Sequence, residues 1–208
     1  MLFLTFFLGI VCNAIGYIPP GNINLTVAQI TINKGLKQAY SFIIAFGLVE
    51  MVFTFAVMRF VQWLSSTVKL GQTIDIAMIF VFLILGVVTW RSRKEMPNTD
   101  TTDNKDSIRY GLLLGILNPM QIPYWLFLGT YLISHEWINI GYLSLGVFSI
   151  GSGIGAAIAL YGFARFAGYI QEKFTLSSYI INKSIAILFF TLSAYHIGKV
   201  IYVHFIRQ

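Results

Sequence analysis

Six continuous apolar runs, each long enough to cross a bilayer as a helix at roughly 17–25 residues, occupy most of this 208-residue chain. They lie at 2–19, 39–60, 74–90, 110–133, 138–164 and 180–203. None shows the inside/outside alternation of a membrane barrel strand. Charged residues make up only 11% of the chain and the mean hydropathy is +0.75, against about 25% charged in an ordinary soluble domain. So few charges cannot cover the surface of a soluble globule, so lipid is the expected solvent. The expected fold class is an all-α polytopic membrane protein with six transmembrane helices. This excludes a cytosolic enzyme, a disulfide-rich secreted module and a disordered tail. Cys12 is the single cysteine, so no intramolecular disulfide or thiolate metal cluster is expected, and no cofactor or metal site.

The charges set the expected orientation. Lys and Arg total 14 against 8 Asp and Glu, a formal charge of +6. Ten of the basic residues follow the first, third and fifth runs: Lys34, Lys37, Arg91, Arg93, Lys94, Lys105, Arg109, Arg165, Lys173 and Lys183. Four lie toward the other side: Arg59, Lys69, Lys199 and Arg207. Positive loops stay in the cytoplasm, so a multi-pass protein of a bacterial inner membrane with both termini outside is expected. The basic residues sit at the ends of apolar runs rather than on one face, which argues against a nucleic-acid partner. No basic residue precedes the first run and no Ala-x-Ala-like site follows it, so that run is expected to be retained as a span rather than removed as a signal peptide.

The polar stretch 91–107 holds Glu95, Asp100, Asp103 and Asp106, half of the acidic residues. It reads as a solvated linker. The expected organisation is therefore residues 1–95 as a first three-helix repeat, 96–107 as a cytoplasmic linker and 108–208 as a second repeat. With three spans in each half, a duplication would place the second repeat inverted relative to the first.

The halves share more than span number. Gly16-Tyr17-Ile18-Pro19-Pro20-Gly21-Asn22 closes the first run, and Gly115-Ile116-Leu117-Asn118-Pro119-Met120-Gln121-Ile122-Pro123 lies inside the fourth. Gly35, Phe42 and Gly47 match Gly141, Phe148 and Gly153 at one constant offset. Proline lacks an N–H and its ring clashes with the carbonyl one turn earlier. Pro19 and Pro20 are thus expected to release the carbonyls of Ile15 and Gly16, and Pro119 that of Gly115. Prolines interrupting corresponding spans of two repeats point to a transporter's binding site. Met1 to Ile32 carries no charge, and a straight helix of that length would reach roughly 48 Å at 1.5 Å per residue. The hydrocarbon core is about 30 Å, so a break near Gly21 fits, with a half-helix starting near Asn22 whose N–H groups face an anion. The alternative is a kink that only shapes packing.

Glu50 lies in the middle of the second run, with Phe46, Gly47, Phe53 and Thr54 on its helical face. A carboxylate at that depth is expensive unless protonated or paired, and by default it marks an ion or proton pathway. The alternative is a neutral glutamic acid bonded to a neighbouring helix. Arg59, Asp75 and Lys199 sit where they can reach headgroups, and His196 reads as an interfacial residue. Asn13 and Gln121 either line a cavity or bond across helices. Gly111 with Gly115, and Gly151 with Gly155 and Ala159, have the spacing that lets helices approach. Trp63, Trp90 and Trp137 read as interfacial anchors. No Walker motif, zinc-protease helix or Gly-x-Ser motif occurs in a span, so the chain is not expected to be an enzyme.

Taken together, Pro20-Gly21-Asn22, Gly35, Gly47 with Glu50, and Asn118-Pro119 followed by Tyr124 and Trp125 resemble the LysE/RhtB family of amino-acid exporters over essentially the whole chain. The resemblance implies export of a small solute driven by the proton gradient. Three positions depart from the family pattern: Asn22 replaces a second Pro, Met120 stands in place of a Lys, and Glu50 replaces an Asp. On this reading Pro20, Gly21, Asn22, Asn118, Pro119 and Gln121 bind the solute and Glu50 handles the proton. The partners are an amino acid-like solute, protons and the lipid bilayer, with self-association into a homo-oligomer left open. Two other readings stand beside it: a metal-cation exporter of the same superfamily, and a non-transporting membrane assembly subunit.

Overall fold

The computed structural model describes residues 2–19, 21–67, 71–91, 104–118, 120–169 and 178–205. Pro20, Pro119 and most of the expected linker lie outside them, as does the side chain of Asp75. The described residues form α1 (Leu2–Gly16), α2 (Asn22–Lys34), α3 (Leu36–Thr67), α4 (Gly71–Arg91), α5 (Asn104–Ile116), α6 (Gln121–Ser134), α7 (Tyr142–Arg165) and α8 (Ser178–Phe205). Every expected apolar run contains a helix, the fourth is divided between α5 and α6, and the first ends in a break after which α2 begins. By length and composition, 36–63 and α7 can each cross a membrane unbroken. The α5 and α6 segments qualify together as a span bent by 56°. The three other runs hold shorter apolar helices, at Leu2–Gly16, Ile79–Arg91 and Ala186–Tyr202. Residues Asn104–Ser107 of the expected linker are instead the first turn of α5, where Asp106 complements the positive end of the helix dipole.

The chain forms two compact units. One comprises 1–62 and 96–175; the other comprises 63–95 and 176–208. Inside the first, α1 is inverted relative to a helix of a soluble protein. The buried residues of α1 are Thr5, Gly9 and Asn13, one turn apart, while Phe3 and Leu4 are each 72% exposed. Lipid tails are as apolar as leucine, so helices associate here through small residues and polar contacts rather than by hiding hydrophobic area. A Cβ on Gly9 would sit on the Phe148 carbonyl, one on Gly151 on the Phe6 carbonyl, and one on Gly155 on the Ile10 carbonyl. The backbones of α1 and α7 are therefore in direct contact. On α5, Gly111 meets the Phe42 carbonyl of α3 in the same way, and Gly115 makes room for the Val49 side chain. The paired glycines Gly47 and Gly153 lie against each other: a Cβ on Gly47 would be 3.2 Å from the Gly153 carbonyl oxygen. Phe42 and Phe148, the matched aromatics, are both fully buried, each in its own apolar cluster.

In the second unit α4 packs on α8. Gly86 admits the Phe190 ring, Ser193 donates to the Ile79 carbonyl at 3.1 Å, and Lys183 covers the Trp90 ring. Phe82 stacks on both Phe189 and His196, at 6.1 and 5.8 Å. His196 is thus buried rather than interfacial, because the Phe82 ring of α4 covers it. Trp63, Trp90 and Trp137 are exposed, as anchors require.

Candidate functional site

The two helix breaks meet at Glu50. This carboxyl is 1% exposed in the middle of the 32-residue α3. Phe46, Gly47 and Thr54 on its helical face are buried with it. One carboxyl oxygen, Oε1, accepts the Tyr17 hydroxyl, from the turn that ends α1. The other, Oε2, accepts the Asn13 amide at 3.0 Å. The Tyr17 hydroxyl in turn accepts the Asn118 amide at 3.1 Å, from the break between α5 and α6. On the far side, Asn13 also donates to the Ser152 carbonyl and hydroxyl, each at 2.8 Å. Ser152 and Thr54 share a further hydroxyl hydrogen bond of 2.8 Å. A continuous polar chain, Thr54–Ser152–Asn13–Glu50–Tyr17–Asn118, thus ties α1, α3, α7 and both breaks together within the first unit. All the partners of Glu50 in it are neutral.

Gln121 begins α6 with its amide beside the Glu50 carboxyl and is 3% exposed, and neither its Oε1 nor its Nε2 makes a hydrogen bond of good geometry. A buried amide so weakly satisfied costs up to about 1–3 kcal/mol. Tyr124, one turn further on, reaches across to donate to the Cys12 carbonyl. Gly16 makes room for it, since a Cβ there would be 3.0 Å from the Tyr124 ring.

The breaks themselves are satisfied differently from the sequence expectation. Ile15 was expected to lose its carbonyl partner, but the chain tightens and the Ile18 N–H donates to it at 3.1 Å. The carbonyls that need a partner are those of Tyr17 and Pro19. The Asn24 side chain supplies one to each, at 2.6 and 3.0 Å. The Gly115 carbonyl is likewise used, by the Asn118 N–H at 3.5 Å. At the start of α6, Asn118 takes the Met120 N–H on its side chain and the Gln121 N–H on its carbonyl, and Pro123 has no N–H. That helix end has little left to offer an anion. The start of α2 is more open: Gly21 caps it in an extended conformation without a side-chain cap, and Asn22 is exposed.

The expected residues therefore fall into three groups. Glu50, Asn118 and Gln121 come together with Asn13. Gly21 and Asn22 stand at the start of α2. Pro20 and Pro119 lie outside the described residues. Sequence reasoning passed over Tyr17, Ser152 and Asn24 as site residues. Tyr17 was hidden inside the proline motif and Ser152 inside the Gly151–Gly155 packing pattern. The available signal was a hydrogen-bonding group one or two residues from each helix-breaking or helix-approach motif.

A multi-pass helical membrane protein whose interrupted helices converge on one buried carboxyl has the construction of a solute carrier. Comparison with known proteins agrees: the chain belongs to the LysE type translocator family, whose model matches residues 14–198. Members of that family are membrane exporters, which makes this chain a membrane transport protein rather than an enzyme. No curated protein and no solved structure matches it.

Proposed function

We propose that the chain is a secondary transporter that exports a small amino acid or related metabolite across a bacterial inner membrane in exchange for protons. Its six spans form two inverted three-helix repeats with both termini outside. The observation that carries the reading is the Glu50 carboxyl, buried among neutral partners and linked through Tyr17 to Asn118 of the second break. In hydrocarbon such a carboxyl is costly when charged and uncompensated, so it holds either a proton or a cationic group. The ammonium of the solute is that cation, and proton and solute then compete for one place. The buried Gln121 amide, which makes no hydrogen bond of good geometry, and the open start of α2 at Gly21 and Asn22 are available to its carboxylate end.

The test is proton-driven efflux from reconstituted vesicles. Glu50→Gln should fold and insert but lose gradient-driven export. Undiminished pH-dependent efflux in that variant overturns the reading. The metal-cation alternative has less to rest on: among the described residues no group of three or more His, Cys, Asp or Glu is placed to hold a metal ion.

A further inference from the structure

Helix α2 carries a line of uncharged polar residues that starts at the site, with Asn22, and continues past it through residues the site does not use. Asn22, Thr26, Gln29 and Asn33 recur at intervals of four, three and four residues. At about 100° per residue they fall within an arc of roughly 60° on one face. The two ends of the line, Asn22 and Asn33, are exposed. Its middle is not: Thr26 is 1% exposed and Gln29 is half-buried.

Thr26 Oγ1 and Gln29 Oε1 are both buried without a hydrogen-bond partner. Other hydroxyls in these helices solve the same problem locally. Thr31 donates to the Val27 carbonyl, Ser149 to that of Leu145 and Thr191 to that of Ile187, each four residues back. Thr26 does not. The opposite side of α2 is ordinary packing, with Val27 fully buried in an apolar cluster with Phe42, Phe46 and Leu160. The line thus runs from the break beside Tyr17 to the Lys34–Gly35 end of the helix, and its buried middle keeps donors and acceptors open.

We propose that this face of α2 is the hydrophilic path by which a zwitterionic solute moves between the Glu50 site and the Lys34 end of the helix. This rests on the transport reading above and adds the route. Hydroxyl and amide groups can exchange hydrogen bonds with both ends of a zwitterion, and the absence of a fixed charge on the line keeps it from being trapped on the way. The chemistry selects small solutes bearing several hydrogen-bonding groups over apolar ones of equal size.

Thiol accessibility tests the route without requiring transport. In a Cys12→Ala background, Thr26→Cys, Gln29→Cys and the control Val27→Cys are placed in vesicles and exposed to a charged, membrane-impermeant methanethiosulfonate from either side. The thiols at positions 26 and 29 are expected to react at least about tenfold faster than the one at 27, and only from the side of the Lys34 end. Gln29→Cys keeps the test open if Thr26→Cys does not fold. Reaction no faster than at position 27, or equal reaction from both sides, overturns the path. Because labelling needs neither solute nor gradient, it can fail while Glu50→Gln still abolishes export, and the reverse, so the two readings are separable.

Discussion

Replacing Tyr17 by Phe removes one oxygen atom and two hydrogen bonds from the centre of the site. The ring itself should stay, since it packs edge-on against Phe46 with centroids 5.6 Å apart. The lost oxygen donates to Glu50 and accepts from Asn118, so both groups are left short of a partner in a place water does not freely reach. Hydrogen bonds between membrane helices average about 0.6 kcal/mol and reach about 1.7. Two of them therefore bound the loss at roughly 1–3.5 kcal/mol. At roughly 2–4 °C per kcal/mol for a chain of this size, Tyr17→Phe should lower the unfolding midpoint in detergent by about 2–14 °C. Asn118→Ala should cost a similar amount, because it breaks one of those two bonds and also the bond from the Met120 N–H, and the double variant should be less damaging than the sum of the singles. Efflux should fall in Tyr17→Phe even at temperatures where the protein remains folded. Additive losses in the double variant, or wild-type stability and efflux in Tyr17→Phe, would show that Tyr17 does not join the two breaks.

Other perturbations follow from the same geometry. Gly151→Ala should destabilise by about 1–3 kcal/mol through overpacking against the Phe6 carbonyl, whereas Gly146→Ala in the same helix meets nothing within 4 Å and should be neutral or stabilising by up to about 1 kcal/mol; thermal denaturation of the pair gives the comparison. Gly35→Ala should cost about 1 kcal/mol or more by the same assay, because Gly35 joins α2 to α3 at φ 86°, a conformation that disfavours a side chain. Asn24→Leu should be worse than Asn24→Asp in neither stability nor efflux: both remove the amide that serves the Tyr17 and Pro19 carbonyls, and the carboxylate adds repulsion against those oxygens. Arg59→Lys should weaken the contact between the end of α3 and the start of α7, since Arg59 both stacks on the Tyr142 ring at 3.8 Å and donates to its hydroxyl at 2.6 Å; proteolysis of the flanking loops would read the loosening.

Much of this could be read from the residues because hydrocarbon leaves few choices. An apolar run long enough to cross a bilayer must be helical to satisfy its own backbone, and a glutamic acid inside one must be partnered. Glycines four residues apart announced the α1–α7 and α5–α3 contacts for the same reason. What the sequence hid was how each break heals. Proline shows that a hydrogen bond is lost, but not that the turn at Ile15–Ile18 recovers one or that Asn24 reaches back to supply others. The assembly of Tyr17, Asn13 and Ser152 around Glu50 was hidden too, because contact between residues so distant in the chain depends on how helices cross, and no periodicity encodes that. His196 was misplaced because its burial comes from α4, whose Phe82 ring stacks on it, and an apolar run does not show which face of a helix a neighbour covers.

The contact between Gly47 and Gly153 has a mechanical consequence. Two positions at the same register in the two halves of the sequence touch backbone to backbone, with the Met51 side chain packed beside them. Were the halves to trade conformations, as alternation between inward and outward access demands, atoms near that spot would travel least while the ends of α3 and α7 swept furthest. Peptide packed on peptide is well suited to such a fulcrum, because the side chain packed against Gly153 is that of Met51, an unbranched and adaptable one.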